Sequence, residues 1–221
     1  FYRFIPKRKG RLPEGGVLQM LAVEGQPAYD TRKSQKMGQA PLPASWVTID
    51  DPDPEAADVD PIAVYKQGAA KGGAAFSRLE GCEIDAKGNV YFSSTSGGDT
   101  RGGQIWIYSP NTRDTGHLKL AFESPSREIL HMPDNLALMP GGDLLFICED
   151  SDYRGEDAMN HIRILTRTGQ MANFAKNINR DFPRSEFAGS CFSPDGKTLF
   201  VNSQTAGVTL AIRGDWKKFH A

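Results

Sequence analysis

Ala86-Lys87-Gly88-Asn89, Pro140-Gly141-Gly142-Asp143 and Pro194-Asp195-Gly196-Lys197 are three turns of one kind, and their glycines Gly88, Gly142 and Gly196 fall 54 residues apart. Each turn is followed at once by an apolar run: Val90-Tyr91-Phe92, Leu144-Leu145-Phe146 and Leu199-Phe200-Val201. Proline presets φ and glycine supplies positive φ, so these are hairpin signals with a mechanism. Short strands and tight turns recurring at roughly fifty residues predict an all-β β-propeller. In that architecture one end of every innermost strand meets a common axis, where carboxylates can share a cation.

Working outward from the turns, period-2 runs divide the chain into units. Residues 76–125 read as one blade, with strands over 79–85, 90–95, 104–108 and 118–123. Residues 126–178 read as a second, with strands over 134–139, 143–149, 161–166 and 170–175. Residues 179–221 read as a last, incomplete blade that runs out at Asp215-Trp216 before a fourth strand. Residues 1–23 fit as the second half of another blade, and 24–75 as an inter-blade excursion of loop and short helix. About three and a half blades result, whereas propellers close with roughly four to eight. The rest of a ring, or a second chain, is therefore expected to cover the exposed sheet edges.

Composition narrows the function classes. Lys and Arg number 26 against 27 Asp and Glu, a net charge of −1, with no basic stripe interleaved with aromatics, so nucleic acid is not an expected partner. No apolar run reaches the roughly 20 residues of a membrane span. The chain opens on Phe1-Tyr2-Arg3 without a basic-then-apolar leader. Cys82, Cys148 and Cys191 form no Cys-x-x-Cys pair and read as buried small hydrophobes. The acidic run from Asp50 to Asp60 lacks the glycine and glutamate spacing of an EF-hand and reads as a solvated loop. His117, His131, His161 and His220 share no metal-ligand spacing, and neither a Gly-x-Ser-x-Gly elbow nor a phosphate-binding glycine loop is present.

The informative residues are acids placed where a propeller expects apolar or small side chains. Glu80 and Asp134 occupy one repeat position, with Ala188 as the third equivalent; Asn135 corresponds to Gly81. Glu186 stands two residues before Ala188, on the same side of its strand. Glu149 and Asp150 end the second strand of the middle unit, where the neighbours have Thr95-Ser96 and Ser203-Gln204. Acids entering adjacent blades at one height cannot all ionise unpaired in a shared funnel, and a hard cation such as Ca2+ resolves the conflict. The candidate ligands are Glu80, Asp134, Asn135, Glu149, Asp150 and Glu186. Arg78, beside the first of them, can grip an anion bidentately or serve as a structural ion pair.

The strings Phe76-Ser77-Arg78-Leu79-Glu80-Gly81-Cys82, Asp134-Asn135-Leu136 leading to Cys148-Glu149-Asp150, and Ser185-Glu186-Phe187-Ala188-Gly189 resemble the PhoX-type alkaline phosphatases. Trp46-Val47-Thr48-Ile49-Asp50-Asp51-Pro52 extends the resemblance. It implies a six-bladed propeller, exported by the twin-arginine route to the periplasm or beyond, that hydrolyses small phosphate monoesters with calcium and iron. It further implies catalytic roles for Glu80, Glu149 and Arg78, the two glutamates as metal ligands. The iron-binding cysteine of such proteins lies in an Asn-Cys-x-Gly-Gly stretch with no counterpart here, so Fe3+ is an expectation for the intact family member and Ca2+ for this chain. A calcium-dependent propeller lactonase or phosphotriesterase, and a non-catalytic propeller scaffold, stand as alternatives.

Overall fold

The computed structural model describes residues 1–33, 35, 37–151 and 159–216. Among them are fourteen β-strands and one α-helix, a nearly all-β chain. The strands are β1 (Tyr2–Pro6), β2 (Gly16–Val23), β3 (Leu42–Thr48), β4 (Leu79–Ile84), β5 (Val90–Ser94), β6 (Gln104–Pro110) and β7 (Thr115–Glu123). They continue with β8 (Pro133–Leu138), β9 (Leu144–Glu149), β10 (His161–Thr166), β11 (Met171–Lys176), β12 (Phe187–Phe192), β13 (Thr198–Ser203) and β14 (Val208–Arg213); the helix α1 is Ala63–Ala70.

Three antiparallel sheets follow one another. The first runs β1-β2-β3-β7-β6-β5-β4, the second β11-β10-β9-β8 and the third β12-β13-β14. Their innermost strands lie side by side, β4 against β8 and β8 against β12, which gives the chain its propeller-like centre. Each of the three turns closes the hairpin between the two innermost strands, pairing Ile84 with Val90, Leu138 with Leu145 and Phe192 with Leu199. The first hairpin is one residue shorter than the others. Glu149 therefore corresponds to Ser94 and Ser203, and Asp150 to Thr95 and Gln204, one step from the alignment that the glycines alone suggest.

The stretch read as loop and short helix also contains β3. Leu42-Pro43 has the punctuation of a loop, yet β3 pairs with β2 on one side and β7 on the other, matching Leu21 to Trp46 and Leu42 to Leu118. Through it the β1–β2 hairpin joins the sheet of β4–β7 and does not form a sheet of its own. The seven-stranded sheet curls so that Leu21, Val23 and Ala44 close over Phe92, Trp106 and Leu118, with Phe1 stacked on Phe92 at 4.3 Å. Two further apolar layers lie between the sheets. Ile105 and Phe122 meet Leu136, Leu145 and Ile147 between the first and second. Phe146, Cys148 and Ile164 meet Leu199 and Val201 between the second and third. The acidic run is exposed; Lys71 and Lys66 pair with its ends, Asp50 and Asp60.

Candidate metal centre

The inner strands share one irregularity. Pairing steps by three residues from Leu79 to Cys82, from Pro133 to Leu136 and from Ala188 to Cys191, against two on the neighbouring strand. Such a bulge adds a residue, bends the strand and re-aims its side chains. Glu80-Gly81 and Asp134-Asn135 fall within the first two. Gly81 is required there by close approach, since a Cβ would stand 2.3 Å from the Asp134 carbonyl oxygen and 2.8 Å from the Leu136 nitrogen. The bulges are stitched sheet to sheet. Ser93 Oγ accepts from the Gly81 N–H (2.9 Å) and donates to the Asp134 carbonyl (3.0 Å). Asn135 Oδ1 accepts from the Gly189 N–H, and Asn135 Nδ2 donates to Asp134 Oδ1 (3.1 Å).

The chain enters each inner strand through another repeated corner. Arg78, Met132 and Glu186 are equivalent, and Arg78 and Met132 hold positive φ, 51° and 52°, which few non-glycine residues adopt. Their carbonyls accept from the N–H groups of Thr95 (2.9 Å), Asp150 (3.0 Å) and Gln204 (3.1 Å), so three β-ladders are extended at one height.

This scaffold brings together Asp134 from the β8 bulge, Asp150 just past β9 and Glu186 just before β12. One carboxylate oxygen from each lies within 4.8 Å of the others, and all three residues are half-buried; no other such trio of His, Cys, Asp or Glu occurs among the described residues. Burial, then contact with Asp150, Asp134 and Glu80, pushes the Glu186 carboxyl up to about 7. Asp134 is raised by burial and by the charges of Glu80 and Asp150, with Asn135 and Arg78 opposing. Glu80 is close enough to contribute this repulsion, and Arg78 Nη2 lies 3.9 Å from Glu80 Oε1. Like charges so crowded favour a cation, and an all-oxygen donor set suits a hard one. The cluster could hold a metal ion.

Glu149 lies elsewhere. Expected among the ligands, it is wholly buried, with Oε1 accepting from the His131 N–H (2.9 Å) and Arg163 Nε (2.8 Å) and Oε2 from the His161 N–H (3.0 Å). The physical reason is strand alternation: Asp150 turns toward the centre, so Glu149 turns to the opposite face, the one that carries Ile147 and Arg163. It does there what the shorter side chains do at the equivalent positions, where Ser94 Oγ accepts from the Ser77 N–H (3.2 Å) and Ser203 Oγ donates to Ser185 Oγ (2.9 Å). Asn135, also singled out from sequence, borders the cluster but spends its amide on the stitch. The buried Arg163 gave no sequence signal, because an arginine in a strand reads as solvated. Of the three cysteines only Cys148 is buried; Cys82 and Cys191 are exposed, against expectation.

Comparison with known proteins gives the chain a family. None of the curated proteins matches it. Among solved structures, a chain of a nidogen/laminin complex is similar with a TM-score of 0.42 and 11% identity, over 87% of this chain; the chain spans 60% of that one's length. The family model described as Alkaline phosphatase PhoX matches residues 1–207, nearly the whole sequence, and the chain thus belongs to the PhoX alkaline phosphatases.

Proposed function

We propose that the chain supplies part of a metal-dependent phosphomonoesterase centre, built on Asp134, Asp150 and Glu186 with Glu80 and Arg78 beside them. Family membership supports phosphatase-type hydrolysis. The observation that carries the finer reading is the convergence of three half-buried carboxylates from two sheets. The cation we propose is Ca2+, which takes carboxylate oxygens; a thiolate ligand for Fe3+ would have to come from outside this cluster. When bound, such a cation neutralises and polarises phosphoryl oxygens.

The chain's own groups divide the remaining work. Asp134, Asp150 and Glu186 hold the cation from positions fixed by the bulges and corners. Glu80 adds a fourth negative charge at the edge. Arg78, half-exposed and loosely paired, is free to turn its guanidinium toward a phosphate and orient it. The substrates we propose are small phosphate esters. The exposed Phe200 and Cys191 on the far face of the third sheet support completion of the ring by further blades, from this polypeptide or another. Export to the periplasm or outside the cell is part of the same proposal and rests on the family resemblance.

The test is hydrolysis of an aryl phosphate by the chain and by the complete protein, before and after chelation. Activity should vanish on metal removal, return with Ca2+, and fall by at least about a hundredfold, roughly 2.7 kcal/mol of barrier, in Asp150→Asn. Turnover that survives exhaustive chelation overturns the reading. Preference for a lactone or phosphotriester would replace the substrate class while keeping the centre.

A further inference from the structure

We infer that Glu149 and Arg163 are positioning residues of the metal centre, a buried clamp that sets Asp150 against Asp134 and Glu186. The inference rests on the proposed centre and deepens it.

The clamp spans three segments. Glu149 is the last residue of β9, His131 precedes β8 and His161 begins β10; the one carboxylate accepts N–H groups from both flanking segments together with Arg163 Nε. Arg163, almost wholly buried, is itself fixed, since Nη1 donates to Asn173 Oδ1 and Nη2 lies 3.3 Å from His161 Nδ1. The corner so held is a strained one, as is its equivalent at Arg78 in the first sheet. His131 leads into Met132 at positive φ, whose carbonyl takes the Asp150 N–H. Two successive residues, Glu149 by its side chain and Asp150 by its backbone, thus tie the end of β9 to the entrance of β8. From that position Asp150 meets Asp134 and Glu186.

Comparison within the chain sharpens the point. At the positions of Glu149 and Arg163, the third sheet has Ser203 and Leu210, and the first has Ser94 and Trp106. The corner can therefore be made with a hydroxyl and an apolar neighbour. Only the middle sheet, which supplies two of the three clustered carboxylates, uses an ion pair. A buried pair is a poor source of stability, because desolvation cancels much of the attraction; the role inferred for this one is to define geometry. Groups that orient metal ligands typically change metal affinity by about 10- to 100-fold when removed.

The experiment gives the middle sheet the third sheet's residues, Glu149→Ser with Arg163→Leu, so that no buried charge is stranded; Glu149→Gln is the companion variant. Terbium is the probe, read by its luminescence and by the lifetime that counts its bound waters. Expected are cooperative unfolding in both variants, a terbium dissociation constant raised about 10- to 100-fold in the double variant, and a shorter lifetime as water replaces Asp150. Wild-type affinity and lifetime in the folded double variant overturn the inference. Failure of both variants to fold also overturns it, assigning the pair to the stability of the sheet. Asp150→Asn separates the two levels. If it weakens terbium binding while the double variant does not, only the clamp is wrong. If it leaves binding unchanged, or the wild type binds no terbium, the centre itself is wrong and the clamp falls with it.

Discussion

At Glu186 the folded chain holds a carboxyl whose pKa is about 7, raised from its ordinary 4.5 by burial and by Asp150, Asp134 and Glu80. A raised carboxyl pKa means that the folded state binds the proton more tightly than the unfolded chain does. Its stabilising contribution is therefore complete below pH 4.5 and is lost as pH rises through about 7. Without metal, the melting temperature should fall between these pH values, and Glu186→Gln should flatten that fall. Saturating Ca2+ should reverse the trend by favouring the ionised cluster; a metal-free profile unaffected by Glu186→Gln would show that the repulsion is screened. The cysteines offer a second check at this scale. Cys148 is buried, with its thiol pushed up to about 12 by desolvation, whereas Cys82 and Cys191 reach solvent. A thiol reagent should label Cys82 and Cys191 in the folded chain and Cys148 only after unfolding, and labelling of Cys148 first would contradict the packing.

Among the elements, the hairpins were legible because their turns carry φ-specific residues, and strands such as β4 and β7 follow the alternation that those turns punctuate, whereas β9, buried throughout, is marked by its apolar run after the turn. β3 was not legible, since Leu42-Pro43 breaks the pattern and only pairing with β2 and β7 makes a strand there. Among the clustered acids, only Asp134 shares its repeat position with another, Glu80, while Asp150 and Glu186 stood out as acids at strand ends; the bulges that aim them were not legible, because a bulge leaves the composition of a strand unchanged. Glu149 shows the cost: counting from the glycines misplaces it by one position in the first sheet, and alternation decides which way it points. Gly81 tests the bulge directly. In Gly81→Ala the new methyl meets the Asp134 carbonyl oxygen and the Leu136 nitrogen, backbone atoms that cannot swing aside. Overpacking of this kind costs about 1–3 kcal/mol, and the shift falls on the strand that carries Asp134. Denaturant unfolding should show the loss, with weakened metal binding beside it; an unchanged midpoint would mean that β4 and β8 are less closely fitted than these distances imply.

Over the whole molecule, the centre depends on how the sheets pack. Asp134 and Asp150 belong to the second sheet and Glu186 to the entrance of the third, so the cluster exists only while the layer between them holds its spacing. Phe146 sits at the middle of that layer, edge-on to Phe174 of its own sheet, to Phe192 of the third and to Trp216 beyond β14, at centroid distances of 5.1, 5.0 and 5.7 Å. Such contacts fix relative position as well as adding buried area. Phe146→Ala should cost about 3–5 kcal/mol. Phe146→Leu keeps most of the apolar volume and should cost less, while still removing the three edge contacts that set the spacing. The informative comparison is therefore Phe146→Leu at a temperature where it is fully folded. If the carboxylates are held together by sheet packing, its affinity for Ca2+ should drop although no ligand has changed. Addition of Ca2+ should also raise its melting temperature less than that of the wild type. An unaltered affinity in a folded Phe146→Leu would mean that the stitch between Asn135 and Gly189, and not the apolar layer, fixes the distance between the second and third sheets.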